Sequence, residues 1–532
     1  MMKKINTSIS TFKNLIESDY LYVDKTKYIY EMIKEPFGQF FFSRPRRFGK
    51  SLTVSTLESV FLGEKELFKG LYIYKTDYLW PVYPIIHIDF GRSDSSTCAN
   101  LEEWIKLEIN GIARKYDVEI QGSSPAILFG ELIKALYNKY EVGVVILVDE
   151  YDRPITNNLE DGKGVKQISR TMEAFYQIIK GYESMERFVF ITGITRLSQV
   201  SIFSKLNNLI DISRSDKFSV AVGYTNAELQ NYFGEHICRA SEKNVCSNKE
   251  MIDKLALWYD GFKFSFNGEK VYNPVSVGRF FSDNYEFRNY WYATATPVIL
   301  VNFAKKQKIS VESINDAVVT DISFNSFDIM SLCENDVDSQ TVTQLLLQTG
   351  YLTIGDRDEK NNILAYRLKY PNKEVQLSFE TDLATVYIGK SISEINTFAS
   401  ALQKSAYVGD VEDMINILKS VFASVPYGIQ VRNEKYYQSI LYLTFKMCGM
   451  DISAESMTNI GRVDATLEAG DNIYVIECKI DKTAQEAMNQ IKEKRYPEQY
   501  LIKKKNGHKI ISIGMNFSSS EKNVDDYIVQ NN

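Results

Sequence analysis

Residues 39–61 read QFFFSRPRRFGKSLTVSTLESVF. An apolar run (QFFFS) is followed by a polar loop and then by a helical run (LTVSTLESVF), which predicts a strand, a tight loop and a helix. Three further apolar runs share this setting: YPIIHIDF at 83–90, VGVVILVDE at 142–150 and RFVFITGI at 187–194, with helical patterns between them. Strands alternating with helices predict a parallel α/β sheet over residues 1 to about 225.

Within the opening stretch, SRPRRFGKS (43–51) puts Gly-Lys-Ser where the strand passes into the helix. A phosphate-binding loop requires that context, because loop amides and a helix N-terminus then face the phosphates. On this reading Arg46, Arg47, Phe48, Gly49, Lys50 and Ser51 form a nucleotide-binding loop. Lys50 reaches the β/γ-phosphates and the Ser51 hydroxyl ligates Mg²⁺. The strict loop pattern has glycine where Arg44 stands, and an isolated GKS is a common accident. VVILVDEYD at 144–152 supplies the second element expected of a P-loop ATPase. There Asp149 holds Mg²⁺ through water and Glu150 polarises the attacking water; the plain alternative is a buried strand with an acidic end. A third strand, FVFITGITR, ends with Thr192, placed to sense a γ-phosphate, and Arg196. Arg196 either neutralises transition-state charge or pairs with an acidic surface residue.

Bulk composition narrows the class. The chain has 532 residues, 44% of them hydrophobic and 13% aromatic, enough to build several cores. Its 62 basic and 68 acidic residues leave a net charge of −6, which argues against a protein whose whole surface binds nucleic acid but not against a local basic groove. Six dispersed cysteines without CxxC pairing and three histidines exclude a zinc module and a disulfide framework. The N-terminus begins with two lysines but lacks the apolar core of a secretory signal, and no run approaches a membrane span. A soluble, cytoplasmic protein without a membrane partner is expected.

Residues 226–425 read as mostly helical. In them LLLQTGYLTI, GDRDEKNN and ILAYRLKY predict a helix running into a two-stranded hairpin, the order of a winged helix. Residues 426–532 read as a compact α/β unit: a helix, strands, another helix and a last strand.

In that last region GRVDATLEAGDNIYVIECKI (461–480) predicts a hairpin with its turn at AGDN, 469–472. Alternation puts Ile473, Val475, Glu477 and Lys479 on one face. Counting back from the turn sets Asp464 directly opposite Glu477, at a Cβ separation of about 4.5–5.5 Å. Two carboxylates so close repel unless a cation lies between them. A divalent metal held by Asp464 and Glu477, with Lys479 placed to activate water or stabilise developing charge, explains why an apolar strand tolerates the charges. Across 479–509 nine basic residues face four acidic ones, the balance expected beside a polyanionic partner or on a solvated helix face.

The combination YVDKT (22–26), SRPRRFGKSL (43–52), VDEYDRPI (148–155), TGITRLSQVSIFS (192–204), WYDGF (258–262) and YNP (272–274) resembles the predicted AAA-ATPase-like family of bacterial proteins. The arginine-bearing loop is that family's own form. The D…ExK arrangement of Asp464, Glu477 and Lys479 resembles the PD-(D/E)xK nuclease superfamily, with Val463 where proline often stands. The second resemblance implies a metal-binding glutamate from the preceding helix, Glu434, and a helix glutamine, Gln490. Together the resemblances imply a P-loop NTPase domain (1–225), a helical lid and winged-helix region (226–425) and a restriction-endonuclease-like domain (426–532). They imply ATP and Mg²⁺ as cofactors, Mg²⁺ or Mn²⁺ at the nuclease-like site, and DNA or RNA as partner. The expected function is an ATPase coupled to a metal-dependent nuclease. The alternative is a STAND-like regulatory switch whose nuclease-like domain only binds nucleic acid.

Overall fold

The computed structural model describes residues 2–159, 161–196, 208–292, 317–320, 339–358, 365–425, 434–448, 450–457 and 462–532. They form two compact units, one from residues before 293 together with 317–375, the other from residue 376 onward. The sequence divides the chain by texture into 1–225, 226–425 and 426–532, whereas these units divide it by contact.

The first unit is built on five parallel strands: β1 (Gly38–Ser43), β2 (Ile85–Asp89), β3 (Val144–Asp149), β4 (Glu186–Gly193) and the short β5 (Ile210–Asp211). Their order is β2-β3-β4-β1-β5. Every residue of β3 and β4 is buried, as expected where helices cover both faces of a parallel sheet. The crossover helices start at matching caps, Thr97 before Cys98–Lys115 and Ser124 before Pro125–Tyr140. Register sets Asp89 opposite Asp149, Val148 opposite Ile191 and Ser43 opposite Gly193. The carboxyl ends of four strands therefore share one edge, where open α/β sheets bind their ligands.

In the same unit, helices Asn226–Lys243 and Asn248–Tyr259 each begin with a capping box, Thr225 with Glu228 and Ser247 with Glu250. Leu229, Phe233, Met251, Leu255, Val277 and Phe280 form their shared core. The resemblance motifs here have structural roles. Asn273 caps helix Pro274–Ser282, accepting from the amides of Val275 and Ser276. Gly261 of WYDGF, at φ +99°, lies so close to the Pro371 carbonyl that an added Cβ would approach it to 1.9 Å. In YVDKT, Lys25 is paired with Glu228 at 2.6 Å, and Asp24 accepts from Thr26 and from the Tyr72 amide.

The expected helix and hairpin are helix Ser339–Thr349 followed by β7 (Thr353–Asp358) and β8 (Ala365–Lys369), with the earlier strand β6 (Val318–Thr320) completing a sheet of order β6-β8-β7. The hairpin differs from expectation in one respect. β7 continues through Gly355–Asp358, which the sequence assigns to the turn, with an irregularity between Ile354 and Arg357; residues 359–364 lie outside the described set.

The second unit holds β9 (Asp451–Met457), β10 (Arg462–Ala469), β11 (Asn472–Ile480), β12 (Lys509–Ser518) and β13 (Asn523–Asn531), in the order β13-β12-β11-β10-β9. β11 and β12 are parallel, joined by helix Ala484–Glu493, and the other pairs are antiparallel. Sequence reading predicts a single final strand where two are present. Helices Ile392–Val408 and Val411–Ser424, placed in the middle region by sequence texture, belong to this unit. The hydroxyl of Tyr474 on β11 donates to the Ala406 carbonyl at 2.6 Å, and Phe422 meets Phe517 at 4.9 Å. Among the described residues no helix is long and apolar enough to cross a membrane.

Candidate functional site

The loop after β1 is shaped by two left-handed residues, Arg47 at φ +65° and Gly49 at φ +96°, directly before helix Lys50–Phe61. Gly49 takes that conformation without a Cβ penalty. Lys50 is buried, and its ammonium donates to the carbonyls of Arg44 and Pro45 at 2.9 Å each. Burial lowers its proton affinity, opposed by the negative charge of Asp149, Glu150 and Asp152. Ser51 lies beside the Asp149 carboxyl. Burial raises the proton affinity of the Asp149 carboxyl, and Ser51 and Lys50 oppose the shift. Arg46, Arg47, Phe48, Gly49, Lys50, Ser51 and Glu150 line one cavity of about 540 Å³, within the range of small-ligand pockets.

Arg44 is not on that cavity's wall. Its guanidinium lies between the rings of Phe42 and Phe264, 4.3 Å from each centroid, and donates to the carbonyls of Ser213 and Phe218. Burial pushes its pKa down to about 9, so it stays charged at neutral pH. The arginine that breaks the general loop pattern is thus a buried prop of the loop. Phe48 is likewise buried, edge-on to Phe262 at 4.8 Å.

The acidic end of β3 splits into three roles. Asp149 faces Ser51. Glu150, left-handed at φ +50°, is paired through its carboxylate with the Arg153 guanidinium. Asp152 is buried and accepts from the amides of Ile194 and Thr195 and from the Thr195 hydroxyl, fixing the turn after β4. Thr192 is buried at the tip of β4, and its hydroxyl has no hydrogen-bond partner among the described residues. Arg196 is paired with Asp211 at 3.1 Å, the acidic partner of the plainer reading, and its amide donates to the Gln348 side chain at 2.8 Å. Residues 197–204 of the resemblance motif lie outside the described set.

In the second unit, β10 and β11 pair with Ala469 opposite Asn472 and Ala465 opposite Ile476. The turn narrows to Gly470 and Asp471, yet the register is the one expected, which brings Asp464 to the level of Glu477. Asp464 accepts from the Cys478 amide at 2.8 Å. The Glu477 carboxylate is fully buried; one oxygen takes the Lys479 ammonium at 2.9 Å and the other has no hydrogen-bond partner among the described residues. Burial, then repulsion from Asp464, pushes the Glu477 pKa up to about 7, with Lys479 opposing.

Gln490, on the helix after β11, lies beside the hydroxyl of Tyr496 and opposes the rise of its proton affinity. Tyr496 is buried, and its proton affinity is raised by burial and by the charge of Glu477 and Asp464. Sequence reading missed this tyrosine, and spacing carries no signal for it; it reaches the site only because the chain bends at Arg495, left-handed at φ +48°. Glu434 opens helix Glu434–Met447, but its side chain lies outside the described set. Among the described residues no three histidine, cysteine or acidic side chains converge as a metal site, so Asp464 and Glu477 are the described carboxylates. An orphaned buried carboxylate oxygen beside a second carboxylate suits a hard divalent cation. Of the basic run, Lys503 is neutralised by Glu468 at 2.6 Å.

Comparison with known proteins adds three findings. Residues 6–203 match a family model described as a predicted AAA-ATPase, and residues 432–527 match one for the PD-(D/E)XK nuclease superfamily. The chain is also similar to the uncharacterized protein in the vnfD 5′ region of Azotobacter chroococcum mcd 1, with 31% identity and 99% of each chain covered.

Proposed function

Because the chain belongs to the predicted AAA-ATPase-like family and carries a PD-(D/E)XK nuclease-superfamily domain, we propose that it binds and hydrolyses ATP and couples this to metal-dependent cleavage of nucleic acid. One observation supports the cleavage half: the buried Glu477 carboxylate, with one oxygen on Lys479 and the other without a hydrogen-bond partner among the described residues, level with Asp464. Asp464 and Glu477 would hold Mg²⁺ or Mn²⁺, which supplies Lewis-acid polarisation of a phosphoryl oxygen and an activated water. Lys479 would keep an ammonium beside the developing charge, with Gln490 and Tyr496 close to the same group.

In the nucleotide half, Lys50 would exchange its two loop carbonyls for phosphate oxygens, Ser51 and Asp149 would hold Mg²⁺, and Glu150 would receive the proton of the attacking water. Three contacts tie the loop and the β4 tip to the later part of the same unit. Trp291 donates through its indole N–H to the Arg46 carbonyl at 2.9 Å, Gly350 lies against Pro45, and Gln348 accepts from the Arg196 amide. These make the helix–hairpin segment, the proposed winged helix of the 226–425 region, the part that registers nucleotide state. We assign 1–225 to the ATPase domain and 426–532 to the nuclease-like domain.

Lys50→Ala removes the buried ammonium assigned to the β/γ-phosphates. ATP affinity should fall tenfold or more, about the size of one charge-assisted hydrogen bond. Calorimetric titration giving equal ATP affinity for wild type and variant would refute the nucleotide assignment. A second reading, a switch that binds ATP and turns it over slowly, is favoured by the ion pair that occupies Glu150.

A further inference from the structure

Glu150 is assigned above to take a proton from water, yet its carboxylate is already engaged. The Arg153 guanidinium donates to Glu150 Oε2, and the Arg153 amide donates to the Glu150 carbonyl at 3.0 Å. Arg153 opens the short helix Arg153–Thr156, so its side chain is carried on the turn that follows the acidic end of β3. The Glu150 backbone is pinned in turn, its amide donating to Asp149 Oδ1 at 3.0 Å with φ at +50°. With the backbone held, the direction of the carboxylate is set by its side-chain partner. Gly91 leaves the space in which it sits: a Cβ there would come to 2.9 Å from Glu150 Oε2. Both Glu150 and Arg153 line the cavity that contains Lys50 and Ser51.

On the ATPase reading, we propose that Arg153 is a positioning residue that latches Glu150 and sets the rate of ATP hydrolysis. In the step it restrains, a water oxygen bonds to the γ-phosphorus as the bond from that phosphorus to the β-phosphate bridging oxygen breaks, and the water proton passes to Glu150. A carboxylate held by the Arg153 guanidinium is aimed at that residue and not at a water. Turnover then requires the pair to part, which is within reach because Arg153 is 39% and Glu150 27% exposed. The latch gives a physical reason why this loop and acidic pair could bind nucleotide firmly and hydrolyse it slowly.

The test is steady-state ATP hydrolysis by the full chain in five forms: wild type, Arg153→Gln, Arg153→Lys, Glu150→Gln and the Arg153→Gln/Glu150→Gln double variant. A half-exposed ion pair is weak, so releasing it should raise kcat by about two- to fivefold. KM for ATP should stay within about twofold of wild type, because the pair is not assigned to nucleotide binding. Arg153→Lys should restore the wild-type rate. In the Glu150→Gln background, Arg153→Gln should change nothing, since no carboxylate remains to release. A fall in kcat, a rise in KM in place of the kcat gain, or the same gain in the Glu150→Gln background would each overturn the latch. Hydrolysis that is absent in wild type, or equal in wild type and Glu150→Gln, would overturn the ATPase reading itself and the latch with it.

Discussion

Glu477→Ala is expected to lower metal-dependent cleavage by about a thousandfold or more while leaving ATP affinity at the wild-type value. The size follows from the several kcal/mol that metal chemistry contributes to a phosphoryl-transfer barrier, at about 1.4 kcal/mol per tenfold. The variant removes a carboxylate whose charge is held in a fully buried place, so the fold should not suffer. Burial and Asp464 both raise its proton affinity, which means that the ionised group costs stability in the metal-free protein. A thermal melting point equal to or above wild type, together with lost cleavage, is the expected pair of results. A variant that cleaves as fast as wild type would remove Glu477 from the chemistry. One that unfolds would make the Asp464, Glu477 and Lys479 group a structural network.

Arg44→Ala is expected to cost the first unit about 2–4 kcal/mol, the range for a large buried side chain that also satisfies buried carbonyls. The guanidinium fills the gap between Phe42 and Phe264 and holds the carbonyls of Ser213 and Phe218. Truncation leaves both aromatic faces beside a void and both carbonyls without their donor. Relief of a desolvated charge offsets part of this, which is why the estimate stays below the largest buried-pair losses. Arg44→Met, which keeps most of the stem volume, should recover about half of the loss. Denaturant titration checks both variants. An Arg44→Ala chain as stable as wild type would mean that the arginine is tolerated in the loop and does not support it.

These two expectations also mark what sequence reading could and could not reach. The Asp464–Glu477 juxtaposition was legible because strand alternation and turn position are local, and a hairpin register follows from them by counting. The sequence pattern gives the turn four residues where the structure has two, but a symmetric shortening leaves the register unchanged. β1 to β4 were legible for a similar reason: four buried runs with acidic or polar ends. β5, two residues long, offers no period to detect, and β13, with exposed residues at much of its length, does not read as an apolar run. Arg44 looked like a flaw in a phosphate loop because its stacking partner Phe264 and its carbonyl acceptors lie about two hundred residues away in sequence. Glu150 with Arg153 and Gln490 beside Tyr496 are invisible for a different reason. Each pair is set by backbone turns, and composition carries no record of which way a side chain points across a turn. The two helices before residue 426 were assigned by texture to the middle region, and only their hydrogen bonds and ring contacts with β11 and β12 place them in the second unit.

The most direct measurement is cleavage of end-labelled single- and double-stranded DNA and RNA by the wild-type protein, with Mg²⁺ or Mn²⁺ or with neither, at zero and at saturating ATP. The account predicts cleavage of at least one substrate that requires the divalent cation and changes in rate with ATP. No cleavage of any substrate under any of these conditions, or cleavage at one rate with and without ATP, would contradict a nuclease governed by the nucleotide site.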